Sequence, residues 1–79
     1  MTVKLLCFGI SRDIIGEPEK LFETKASTIG ALKSDLTSSF PDFSRLASLS
    51  LAVNENYQND DFQINDGEVI AIIPPVSGG

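Results

Sequence analysis

The chain has 79 residues, 42% of them hydrophobic, with a formal charge of -5, one cysteine and no histidine. That length holds one domain near the lower limit of a self-supporting core, and five Phe with well-spread Leu, Ile and Val argue against disorder. A lone Cys7 without His excludes an internal disulfide, a Cys/His metal set and a Cys-His nucleophile pair, and the acidic balance disfavours nucleic acid as a partner. A basic protein surface would suit the charge. With neither a signal-peptide pattern nor a run of about 20 apolar residues, a soluble cytoplasmic protein without a membrane partner is expected.

Val3 to Phe8 reads as a strand, apolar on both faces apart from Lys4 and closed by Gly9, which suits a place inside a sheet. Cys7 lies in this run, where a small buried thiol is the expectation. Ile10 to Gly16 fits one helical turn or an irregular loop. After Glu17-Pro18, the stretch Glu19 to Thr24 is a second strand, joined to the first as a hairpin with a wide connection. From Thr28 onward Ile29, Leu32, Leu36 and Phe40 recur at spacings of three, four and four, on one face of an α-helix. Ser27 or Thr28 is its N-cap, Pro41 and Asp42 mark its stop, and the stripe is core packing rather than a binding face. Leu49 to Val53 is a third strand, Asn54-Glu55-Asn56 a turn, and Tyr57-Gln58 the start of a short edge strand. Ile64 to Gly67 is a further turn before the last strand, Glu68 to Ile73, apolar enough to be central.

Strand, strand, helix, strand, short strand, strand is an α+β order. It predicts a two-layer β-grasp: a mixed sheet with one main helix across it and the first and last long strands side by side and parallel at its centre. Residues 1–73 form that domain, and 74–79 a flexible tail.

The tail Pro74-Pro75-Val76-Ser77-Gly78-Gly79 carries the chemical signal. Glycines lack a Cβ and pass through a channel too narrow for side chains. The prolines favour an extended path, so six residues at about 3.3–3.6 Å each project about 20 Å. The reactive group is then expected to be the Gly79 carboxylate, on a tail anchored by the apolar run Val69 to Ile73.

These residues resemble, along nearly the whole chain, the small subunits of molybdopterin synthase, a family of ubiquitin-like sulfur carriers. The resemblance rests on Ala52-Val53-Asn54, Asp66-Gly67, Ala71 and Pro74-Pro75-Val76-Ser77-Gly78-Gly79 in the family's order and spacing, with Phe8 and Arg12-Asp13 before Ile14-Ile15-Gly16. Two departures are visible: Val69 stands where a second acidic residue is common, and Gly9-Ile10-Ser11 replaces small and apolar residues. The resemblance implies that an ATP-dependent, E1-like adenylyltransferase and sulfurtransferase adenylates Gly79, and that sulfur then displaces AMP to leave a thiocarboxylate. It further implies that Pro75, Val76, Ser77 and Gly78 insert with Gly79 into the synthase large subunit, in an assembly of two small and two large subunits. There the sulfur passes to cyclic pyranopterin monophosphate. The chain would hold no permanent cofactor, ATP being used by the activating enzyme, and would supply no catalytic acid or base.

For docking, the candidates are Phe8, Tyr57 and Ile73, apolar and aromatic groups near strand ends that suit the desolvated centre of an interface. The competing placement for Phe8 and Ile73 is the core. Asp35, Asp42 and Asn59-Asp60-Asp61 lack the spacing of a calcium loop or an acid/base pair and read as solvated surface. Two other functions share the Gly-Gly ending: a sulfur carrier for thiamine thiazole synthesis, whose chains are usually shorter and lack Pro-Pro-Val-Ser, and a ubiquitin-like modifier conjugated through Gly79. A plain interaction module with an inert tail is the remaining alternative.

Overall fold

A computed structural model describes residues 1–46 and 49–74. Strand β1, Thr2–Cys7, alternates inward Val3, Leu5 and Cys7 with outward positions. A short helix α1, Ile10–Ile15, follows and closes on Gly16, whose N–H donates to the Arg12 carbonyl at 2.8 Å. Strand β2, Glu19–Glu23, then pairs antiparallel with β1 from Thr2 opposite Glu23 to Leu6 opposite Glu19. Helix α2 spans Ile29–Ser39. Strands β3, Ser50–Val53, β4, Asn56–Tyr57, and β5, Val69–Ile73, complete one sheet in the order β2-β1-β5-β3-β4.

The β1–β5 pairing is parallel and every other pairing is antiparallel, so the expected β-grasp is the observed fold. Strand limits differ from the sequence reading by a residue or two. The β3–β4 turn has positive φ at both Asn54 (50°) and Glu55 (74°), the requirement of a two-residue turn that matches strand twist. No helix among the described residues is long and apolar enough to cross a membrane.

Ile29, Leu32 and Leu36 of α2 are fully buried and meet Val3, Leu5, Leu51, Ile70 and Ile72 from the sheet. The predicted stripe is therefore core. Of the two N-cap candidates Thr28 serves, its hydroxyl accepting the Ala31 N–H at 3.2 Å.

One element was not expected: a 3₁₀ helix, Pro41–Arg45, directly after α2. Pro41 stops the α-helix because it has no N–H to donate, yet its fixed φ suits a tighter first turn. At three residues per turn Phe43 falls below Phe40 and is buried, with the two rings edge-on at 6.2 Å. Phe40 also stands 6.3 Å from Phe22 of β2, so this aromatic group closes the end of the core.

The loop before β5 satisfies the start of α2. The Ile29 N–H donates to the Phe62 carbonyl at 3.0 Å and the Gly30 N–H to the Asp60 carbonyl at 2.8 Å, filling donors that a helix leaves open in its first turn. Lys33 holds the Asp60 carboxylate at 2.7 Å from the next turn. A Cβ on Gly30 would sit 3.1 Å from the Asp60 Cβ and 3.2 Å from its carbonyl oxygen. Asp60 is tied by the hydrogen bond and the ion pair that such a methyl would push apart.

Gly30→Ala is therefore expected to lower stability by about 1 kcal/mol, because overpacking of about 1–3 kcal/mol outweighs the helix-propensity gain of about 1 kcal/mol. Urea denaturation measures it. A gain in stability would show that the loop yields freely.

Candidate functional site

Both helices lie away from one face of the sheet, and that face is the candidate site. Register defines its membership. Lys4 pairs with Leu21 on one side and Val69 on the other, Leu6 with Ala71, Ala52 with both Ala71 and Tyr57, and Ser50 with Ile73. Directly paired residues share a face, so one apolar surface crosses all five strands. Its only strand-borne ion pair is Lys4 with Glu19 at 3.4 Å among the described residues.

The centre of this surface is a depression of about 460 Å³ lined by Leu6, Phe8, Ala52, Val69 and Ala71, with Asn54 and Glu55 at one end. Ala52 and Ala71 make its floor because they are small and lie on adjacent central strands. Phe8, just past β1, is 50% exposed and Tyr57 67%. Leu21 on the edge strand is 72% exposed and extends the apolar surface outward.

Of the sequence-predicted docking residues, Phe8, Tyr57 and Ile73 all belong to this one face. Phe8 is not a core residue, since half of it is open to solvent, and Ile73 is half-buried. Pro75, Val76, Ser77, Gly78 and Gly79 lie outside the described residues. Their point of departure is described: a Cβ on Gly9 would touch the Pro74 Cγ at 3.4 Å, and Gly9 has φ 55°. Pro74 thus stands beside Gly9, the residue after Phe8, at the end of the open face.

Sequence reasoning passed over Ser11, a fully buried polar residue in α1. Its Oγ accepts the Phe8 N–H at 2.9 Å, and its proton faces the Phe8 carbonyl at 2.5 Å and the Ile72 carbonyl at 3.4 Å. A serine three residues after a strand end is the signal that was present, because such side chains bond to nearby backbone. The last turn is held similarly. Asp66 Oδ1 accepts the Thr2 N–H at 2.7 Å and the Gly67 N–H donates to the Thr2 carbonyl at 2.8 Å, giving Asp66-Gly67 a structural place at the start of β5.

Cys7 faces the core, and its thiol is pushed above its ordinary pKa first by burial and then by the Glu17 carboxylate, with Lys20 acting in the opposite sense. It is the small buried thiol that the sequence suggested. No group of three or more His, Cys, Asp or Glu among the described residues is placed to hold a metal ion.

The chain matches the ThiS family over residues 5–79. It is 37% identical to a molybdopterin synthase sulfur carrier subunit from Dictyostelium discoideum, over 96% of this chain and 94% of that protein. A putative molybdopterin converting factor, subunit 1, from Pyrococcus furiosus has the same fold, with a TM-score of 0.84 at 24% identity over 96% of this chain and 99% of that one. A chain from the complex of subunits 1 and 2 of the molybdopterin-converting factor of Helicobacter pylori superposes with a TM-score of 0.66 at 28% identity, covering all of both.

Burial of Cys7 sets a pH dependence. A thiol whose folded pKa is raised contributes stability that is fully present below the unfolded value of about 8.5 and is lost as pH climbs from there towards the folded value. The midpoint of urea unfolding is therefore expected to fall above about pH 8.5, and Cys7→Ala is expected to flatten that decline while costing packing at every pH. An equally steep decline in the variant would assign it to other groups.

Proposed function

The chain belongs to the ThiS family, and we propose that it is the sulfur-carrier subunit of a molybdopterin synthase, with Gly79 as the sulfur-bearing residue. The observation that carries this reading is the near full-length match to a sulfur carrier subunit at 37% identity, in a chain whose sequence runs to Pro74-Pro75-Val76-Ser77-Gly78-Gly79.

The chemistry explains what the chain contains. A carboxylate is a poor electrophile. Attack of the Gly79 carboxylate on the α-phosphate of ATP expels pyrophosphate and gives an acyl-adenylate; hydrosulfide delivered at the activating enzyme then attacks the acyl carbon, AMP leaves and the S–H proton is lost, giving the thiocarboxylate. Both steps use groups of that enzyme, an E1-like adenylyltransferase and sulfurtransferase. This chain contributes an unobstructed acyl carbon. The thiocarboxylate sulfur next acts as the nucleophile towards cyclic pyranopterin monophosphate in the large subunit, reached by Pro75, Val76, Ser77, Gly78 and Gly79.

The open sheet face is the proposed docking surface for the large subunit. Support comes from its apolar character, from the exit of the tail at its edge, and from a 28% identical chain found in a complex with a second subunit. Phe8 and Tyr57 would anchor it as exposed aromatics, the residue class that dominates interface energetics, with Ile73 beside the tail root. Cytoplasmic location belongs to this same reading.

Intact-protein mass spectrometry after incubation with the activating enzyme, ATP and a sulfur source is expected to show a gain of about 16 Da, oxygen replaced by sulfur. A chain lacking Gly79 should not gain it, and an unchanged mass in the full chain would sink the sulfur-carrier reading. Covalent adducts on many proteins would favour a modifier instead.

Phe8→Ala and Tyr57→Ala are each expected to weaken binding to the large subunit by about tenfold or more. Because Phe8 is half and Tyr57 two-thirds exposed, unfolding free energy should fall by no more than about 1.5 kcal/mol for either. Parallel losses of binding and stability would remove this face from the interface.

A further inference from the structure

We propose that Glu55 is a specificity-determining residue of the open face: its carboxylate receives the cationic head of a lysine or arginine side chain of the docking subunit, whose hydrocarbon stem lies in the apolar depression over Ala52 and Ala71. This rests on the reading of that face as the docking surface for the large subunit and adds to it the class of side chain that the surface selects.

Glu55 stands where the backbone favours another residue. Val53 pairs with Asn56, so Asn54 and Glu55 are the two central residues of the β3–β4 turn, with φ of 50° and 74°. Asparagine tolerates the left-handed region, and the second position of such a turn is commonly glycine. Glutamate there carries the strain of a Cβ in that region. The residue is exposed, and no ion pair among the described residues involves its carboxylate. A local preference broken without a compensating contact points to a role at the surface.

The sheet defines what the carboxylate borders. Of the residues that line the depression, only Glu55 is charged. Phe8 follows Cys7, which pairs with Ile72, whereas the Asn54 N–H donates to the Val69 carbonyl at 3.2 Å. The acid therefore stands at the end away from Phe8, with the alanine floor between them. From Ala71 to Val69 is about 6.6 Å, two strand residues at about 3.3 Å each, a span that suits the stem and head of a lysine or arginine. Lys4, the one basic residue at the outward strand positions of this face, is engaged by Glu19 at 3.4 Å.

Desolvation then selects the occupant. A wholly apolar group seated in the depression would bury the carboxylate unpaired, and an acidic one would meet like charge. A long basic side chain satisfies both the apolar floor and the acid at its end.

The test measures affinity of the full chain for the large subunit by titration calorimetry at about 50 mM and about 500 mM salt. Wild type is compared with Glu55→Gln, Glu55→Gly and, as a control for net charge, Asp61→Asn, an exposed site in the loop against α2. Glu55→Gln is expected to weaken binding about tenfold or more at low salt and to flatten its salt dependence, with Tm unchanged within about 2 °C. Glu55→Gly is expected to lose as much binding while Tm rises by about 4 °C, because glycine relieves the turn. Asp61→Asn should bind as wild type does. Wild-type affinity and salt dependence in Glu55→Gln would overturn the proposal, as would an equal loss in Asp61→Asn, which would make the effect one of net charge. A Tm that falls in Glu55→Gly would show that the turn favours glutamate for stability, and would overturn it too. Loss of binding in Phe8→Ala but not in Glu55→Gln would keep the face and remove Glu55 from it. A wild-type chain that does not bind the large subunit would instead strike the docking reading itself, and this proposal with it.

Discussion

The parallel pairing of β1 with β5 is the contact from which the rest of the fold follows. It joins Lys4 to Val69 and Cys7 to Ile72, across most of the sequence. Parallel strands cannot be joined by a tight turn and need a crossover; here the intervening chain supplies α2, the 3₁₀ helix and the β3–β4 hairpin. These elements are held in place by that central pair, β2 along β1 and β3 along β5. The pairing also fixes the exit of the tail, since a strand at the centre of the sheet is the least free to fray. Such long-range contacts carry a high loop-closure entropy before they yield any stabilisation, and the fully buried Val3, Leu5, Ile70 and Ile72 supply the apolar area that offsets it.

Helix α2 covers one face of the five-stranded sheet, and among the described residues no second layer lies over the other. The outcome is an asymmetry within single strands. In β5, Ile70 and Ile72 are buried while Val69, Ala71 and Ile73 face outward as apolar residues without a helix over them. Alternation in a solvated sheet would place polar residues there. Apolar residues at all three outward positions of β5, with Leu6 and Ala52 beside them on β1 and β3, are consistent with a face that is covered in a larger assembly.

Much of this was legible in the sequence because periodicity reports burial directly. The three-four-four spacing from Ile29 to Phe40 gave α2, and the mainly apolar runs, broken in β1 only by Lys4, marked β1 and β5 as central. Phe43 escaped because a proline after a helix reads as a stop; only its spacing of three from Phe40 hints at a tighter helix continuing the core. Ser11 escaped for a different reason. Its hydroxyl engages both backbone polar groups of Phe8, three residues back, a local contact that a serine shortly after a strand end signals only weakly. The face shared by Phe8, Tyr57 and Ile73 was likewise invisible from position alone, since strand register decides it and a shift of one residue would have turned each to the other side.

The structure separates order from reactivity. Several of the side chains that organise the domain, such as Thr28 at the helix cap and Asp66 on the Thr2 amide, act on the chain's own backbone, and its one thiol, Cys7, is enclosed with its pKa raised by burial. A sulfur carrier of the proposed kind, modified by one protein and read by another, would gain from this arrangement. Reactive side chains near the tail would compete for the activated acyl group, whereas Gly9, Ser11 and Pro74 offer only geometry. On the proposed reading, selectivity would reside in which protein accepts the open face with its exposed Phe8 and Tyr57, because no reactive side chain of the ordered domain would take part in the chemistry.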